Sequence, residues 1–163
     1  MKNMRFVASV SLLCAMALSS CTFGTVPGAP APEAAAAASA VVPTDGFGAM
    51  LNAQRASGGL PAATPDARLT LAAQKHADDM VARDYFSHTS PEGSSSADRV
   101  RAAGYSSCRP SEDIAFGQQS EAEVFQSWVN SPAHLANIMM RGSVQYGLGR
   151  AGTKWVLIVA GVC

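Results

Sequence analysis

Apolar residues recur at helical spacing through most of the chain and at strand spacing only near its end. Phe47, Met50, Leu51 and then Gln54 to Arg55 make a short amphipathic helix, closed by Ser57-Gly58-Gly59. Thr64-Pro65-Asp66 reads as the start of a second helix, with a cap oxygen, a proline in the first turn and an acid beside it. Its apolar stripe runs through Leu69, Ala72, Ala73, His76, Met80 and Val81 to about Phe86. His76 sits on that stripe and is expected to be a structural, buried histidine. Ser96 is the expected cap of a short helix from Ala97 to Ala103, with Arg99 and Arg101 solvated. Ser120-x-x-Glu123 is a capping box opening a helix to about Asn130, in which Phe125, Trp128 and Val129 share one face. Ser131-Pro132 then turns a corner into another helix, which carries His134 in its first turn. Asp113 to Phe116 is expected to be extended. Val144 to Arg150 and Trp155 to Val162 read as a terminal hairpin, the second strand nearly all apolar and suited to the middle of a sheet. Helices followed by a hairpin imply an α+β fold.

The first 44 residues have a different character. Lys2 and Arg5 precede an apolar run from Phe6 to Leu18, too short to cross a bilayer, which needs about 20 residues. It ends in Leu18-Ser19-Ser20-Cys21, which resembles a bacterial lipobox. That resemblance makes 1–21 a lipoprotein signal peptide and Cys21 the lipidated first residue of the mature chain. The alternative is an ordinary cleaved signal with Cys21 incidental. Residues 22–44 are rich in alanine and proline, with prolines at 27, 30, 32 and 43, and read as a tether to a domain spanning 45–163. The expected location is therefore extracytoplasmic, at a membrane reached through the lipid at Cys21.

Cysteine usage fits that compartment. Cys14 leaves with the signal peptide, and Cys108 and Cys163 remain as an even pair in an exported chain. A disulfide between them is expected, worth about 4 kcal/mol by loop closure; two separate thiols are the alternative. Composition excludes one class of partner. Twelve basic and twelve acidic residues give no net charge, so there is no electrostatic case for nucleic acid.

Four segments in order carry a family resemblance: Leu51 to Arg55 (LNAQR), Phe86 to Ser90 (FSHTS), Glu112 to Ala115 (EDIA) and Trp128 to His134 (WVNSPAH). Together they resemble the CAP superfamily (cysteine-rich secretory, antigen 5 and pathogenesis-related proteins), specifically its small bacterial SCP-like members. The resemblance runs from about Phe47 to the C-terminus. It implies a three-layer α-β-α sandwich around a three-stranded antiparallel sheet, and a cleft built by His88, Glu112 and His134. The family's cavity commonly carries two histidines and two glutamates. The fourth position, three residues after the tryptophan, is Ser131 here, which reads as a helix cap.

Two imidazoles and a carboxylate suit zinc or another divalent metal, with His88 and His134 as nitrogen ligands. They equally suit a hydrogen-bonded acid–base cluster. Taken singly, His88 can bond its own loop, Glu112 can pair with Arg109, and His134 can lie on the surface. Ser87, Ser90 and Ser131 offer hydroxyls for a Ser/His-type or metal-assisted hydrolase, but no Gly-x-Ser-x-Gly elbow is present. The leading expectation is a binding module for a small hydrophobic or envelope-derived ligand, with Leu135, Ile138, Met139 and Met140 as candidate groove residues. The alternative is the hydrolase.

Overall fold

The computed structural model describes residues 46–107 and 109–161. Five helices surround a four-stranded sheet in these residues: α1 (Gly46–Ser57), β1 (Thr64–Pro65), α2 (Ala67–Ala82), α3 (Ser96–Ala102), β2 (Ser111–Phe116), α4 (Glu121–Val129), α5 (Pro132–Ile138), β3 (Gln145–Ala151) and β4 (Lys154–Ala160). The sheet order is β1-β3-β4-β2. β2, β4 and β3 are antiparallel, as the resemblance implies; the two-residue β1 adds a fourth, parallel strand beside β3. The apolar strand β4 lies inside the sheet, and every residue from Trp155 to Ala160 is buried.

Strand alternation divides the core into two layers. On one face, Val156, Ile158 and Ile114 meet Leu69, Ala73 and Met80 of α2 and Val100 of α3. On the other, Leu157, Val159 and Ala115 meet Phe47 and Leu51 of α1, Trp128 of α4 and Ile138 of α5. α2 reaches the sheet because β3 lacks two side chains. A Cβ at Gly147 would collide with the Leu69–Thr70 backbone, and one at Gly149 with the Ala73–Gln74 backbone. On the opposite face Phe47 packs edge-on against Phe125 and Trp128, with ring centroids 5.7 and 6.0 Å away.

Local signals shift by a residue or two from the expected positions. α2 begins at Ala67 because Thr64-Pro65 pairs with Gln145 and Tyr146 as β1. Its cap is Asp66, which accepts from the Arg68 and Leu69 amides. α3 is capped by Ser95, not Ser96, in a capping box with Asp98. Ser120 caps α4 as expected, while Glu123 accepts from the Gln119 amide. Ser131 does stand at the N-cap of α5, but its side chain makes no capping hydrogen bond. Arg55 is fully buried and ties α1 to the far end of α5, donating to the carbonyls of Pro61, Ile138, Met140 and Ser143. Cys21, Cys108 and Cys163, with the signal and tether segments, lie outside the described residues.

Candidate functional site

The site lies at β2, one of the two edge strands, between the loop that follows α2 and the start of α5. Successive residues of a strand face opposite sides, so Glu112 points toward α2 and Asp113 toward α5. Both are buried.

On the α2 side, both oxygens of Glu112 are occupied. Oε1 accepts from Nδ1 of His88 at 2.9 Å, and Oε2 accepts from Nη2 of Arg99 at 2.7 Å. Burial pushes the Glu112 carboxyl up, but His88 and Arg99 together outweigh it and hold the group below its ordinary range. The hydrogen bond to Glu112 raises the His88 imidazole above its usual value. Its side chain is 55% exposed, so with Nδ1 engaged it offers Nε2 to the cleft.

Arg99 is not solvated as expected. Its side chain is nine-tenths buried and also donates to the Ser94 and His88 carbonyls, at 2.8 and 3.0 Å. The guanidinium thus fixes the His88 loop and the Glu112 carboxylate together. Arg101, on the outer side of α3, is exposed as expected. Residue type and spacing alone do not distinguish these two arginines.

His76 is fully buried, as its stripe implies. Its Nε2 donates to the Ser87 carbonyl at 3.0 Å and lies 3.8 Å from Glu112. Burial lowers its pKa and keeps it neutral, so this approach is a packing contact, not an ion pair. A structural histidine of α2 therefore supports the loop bearing His88.

On the other side, Pro132 starts α5 and His134 follows in its first turn. His134 is half-buried, and burial lowers its pKa, helped by repulsion from His88. The two imidazoles thus share one electrostatic environment, while His134 has no hydrogen bond to His88 or Glu112. One helical turn further on, Asn137 donates to Oδ1 of Asp113 at 2.7 Å. Burial raises the Asp113 carboxyl to about 7. Two neighbouring acids therefore have opposite tendencies: Glu112 stays ionised and Asp113 titrates near neutrality.

The structure brings His88, Glu112 and His134 to one region, and adds Arg99, Asp113 and Asn137, which sequence reasoning missed. The last two had a signal in strand alternation after Glu112 and in the three-residue step from His134 to Asn137.

The donor set can be weighed against zinc. Glu112 has no free oxygen, and the cation of Arg99 lies against it. Among the described residues, no three His, Cys, Asp or Glu side chains converge in a way that would hold a metal ion. This arrangement fits an ion-paired cluster, not a three-ligand centre. Nor do the described histidines bond to a serine hydroxyl. Ser87 Oγ accepts from the Thr89 amide, and Ser90 Oγ lies 3.4 Å from Arg99.

Of the expected groove residues, Ile138 is fully buried in the core, whereas Leu135, Met139 and Met140 are half-buried, Met139 packing against the same core. Five large apolar residues are exposed among the described residues, Leu71, Val81, Phe86, Phe116 and Val144; of these Phe86 and Phe116, 49% and 60% exposed, form a ring pair with centroids 6.1 Å apart. Phe86 is two residues before His88, and Phe116 shares the α2-facing side of β2 with Glu112.

Comparison with known proteins agrees with this architecture. The chain is 33% identical over 108 residues to the uncharacterised protein YkwD of Bacillus subtilis, covering 65% of this chain and 42% of that one. It thus spans about two fifths of that relative's length. An extracellular protein of Bacillus anthracis containing an SCP domain superposes with a TM-score of 0.68 at 24% identity, over 71% of this chain and 39% of that one. An outer surface protein of Borrelia burgdorferi gives 0.65 at 20% identity, over 71% and 89%. Residues 49–159 match the cysteine-rich secretory protein (CAP) family across both helical layers and the whole cleft, and the chain belongs to that family.

Proposed function

We propose that this chain is an exported binding module, anchored by lipid at Cys21, that holds a small ligand with an apolar body and a polar head. The head meets His88 and His134, and the body lies across Phe86 and Phe116. One observation carries this reading. His88 is oriented by a buried, fully paired Glu112 and turns its free nitrogen to solvent, with no hydroxyl nucleophile bonded to it. Such a cluster is pre-organised for recognition, because Glu112 and Arg99 hold the imidazole before any ligand arrives. Acyl transfer would need a nucleophile within reach of a base. The extracytoplasmic location is supported by the signal-like N-terminus and by similarity to an extracellular and an outer surface protein. No helix among the described residues is long and apolar enough to cross a membrane.

Native mass spectrometry on the mature protein purified from its own envelope tests this. The expected result is an organic mass that denaturation releases. His88→Ala should lower its affinity about tenfold or more, the worth of one charge-assisted hydrogen bond. The fold should survive at a cost of about 1–3 kcal/mol for the lost hydrogen bond to a buried carboxylate, because Arg99 still pairs Glu112. A bare polypeptide, or a mass removed by EDTA alone, would overturn the reading. So would peptide or ester hydrolysis that disappears in His134→Ala.

A further inference from the structure

Position 131 holds serine, so the corner between α4 and α5 supplies no carboxyl to the cleft. β2 supplies one instead. Asp113 is 1% exposed, faces α5, and accepts the Asn137 amide at 2.7 Å. Asn137 lies three residues after His134, so the two side chains share a face of α5.

α5 is short, and little else fixes its rotation. It has seven residues, and its N-cap serine makes no side-chain bond. Arg55 holds the carbonyl of Ile138, its last residue, and that of Met140 just beyond it, but that contact acts at the far end from His134. Ile138 anchors it in the core by a non-directional apolar contact. Among the described residues, Asn137 to Asp113 is the one side-chain hydrogen bond that α5 makes with the sheet.

We propose that Asp113 and Asn137 are the positioning pair of the cleft, setting the rotation of α5 on β2 and thereby the place of His134 opposite His88. The pair deepens the binding reading above and rests on it for its purpose. The groups that act on Asp113 are Asn137 from α5, His88 from the loop after α2 and Glu112 beside it on β2, with the apolar Leu157 opposite it on β4. Oδ1 accepts the amide whether or not the other oxygen carries a proton, so the bond persists on both sides of neutrality.

The test uses the full chain and the ring proton signals of its histidines in NMR. Asn137→Ala keeps a strong helix former in α5 but removes the donor. Asp113→Asn keeps an oxygen that Asn137 can still reach. In Asn137→Ala the His134 signals should shift. The His134 titration midpoint should rise by at least about 0.5 unit, as both burial and repulsion from His88 weaken. His88, tied to Glu112, should hold its midpoint. Asp113→Asn should keep the wild-type His134 signals. A purely structural pair would lower the melting temperature and leave His134 unmoved, which would overturn the proposal. So would Asp113→Asn moving His134 on its own, a result that stands even where Asn137→Ala does not fold. The readout needs no ligand. A wild type that carries none therefore defeats the binding reading alone, and a ligand retained beside an unmoved His134 defeats the positioning pair alone.

Discussion

Replacing Arg99 with methionine should expose how the site is held together. The substitution keeps much of the apolar stem and removes the guanidinium. Glu112, whose side chain is 3% exposed, then loses the hydrogen bond to Oε2 and keeps only His88. Removing one partner of a buried pair costs about 3–5 kcal/mol, because the remaining charge is uncompensated. His88 offsets part of this, so the expected loss is about 3 kcal/mol near pH 8. The loss of contacts to the Ser94 and His88 carbonyls falls within that figure, since the loop can rehydrate.

The pH dependence follows from Glu112. In the wild type its pKa lies below the unfolded value, so it contributes stability above the unfolded pKa and loses it as pH falls through the folded one. Burial is the largest single influence on the group and acts upward. Without Arg99, that influence prevails and the folded pKa rises above the unfolded one. The folded variant then binds a proton that the unfolded chain does not, and its stability falls as pH rises through that interval. The deficit should therefore be larger near pH 8 than near pH 5, by about 1–2 kcal/mol. Urea unfolding followed by fluorescence of the buried Trp128 and Trp155 measures it, with the midpoint moving by more than about 1 M near pH 8. An equal loss at both pH values, or one under about 1 kcal/mol near pH 8, would refute the view that Arg99 sustains a buried Glu112 charge.

Further outcomes are expected from single substitutions and from the cysteines. Gly147→Ala should cost about 3 kcal/mol or more in thermal unfolding, because its Cβ meets α2 backbone that cannot swing aside. Ser131→Ala should change stability by less than about 0.5 kcal/mol, whereas Asp66→Ala should cost about 1–2 kcal/mol for its two cap bonds. The Asp66 contribution should fade as pH falls through its folded pKa, which the hydrogen bond to Arg68 holds below the ordinary value. Intact-mass analysis of the exported chain should find Cys108 and Cys163 joined, two hydrogens lighter than the reduced form, and reduction should lower stability by about 4 kcal/mol; free thiols under non-reducing conditions would sink the pairing.

The sequence by itself determined the order and type of nearly every element, because each is encoded locally. Apolar spacing marks α2 and α4, Ser120 and Pro132 mark helix starts, and an almost unbroken apolar run marks β4 as an inner strand. It also named His88, Glu112 and His134, though only through segments that resemble a family. Tertiary structure decided what those residues do. Thr64-Pro65 became a strand instead of a helix start because β3 lay alongside to pair with it. Arg99 and Arg101 stand two apart on one short helix, yet the first is buried against Glu112 and the second is solvated. Glu112 and Asp113 are consecutive acids on one strand, yet the ion pairs on one side of the sheet keep the first charged, and burial on the other side lifts the second to about 7. Burial and the sign of the nearest charge set these differences, and both are properties of packing between distant segments, which no local pattern contains.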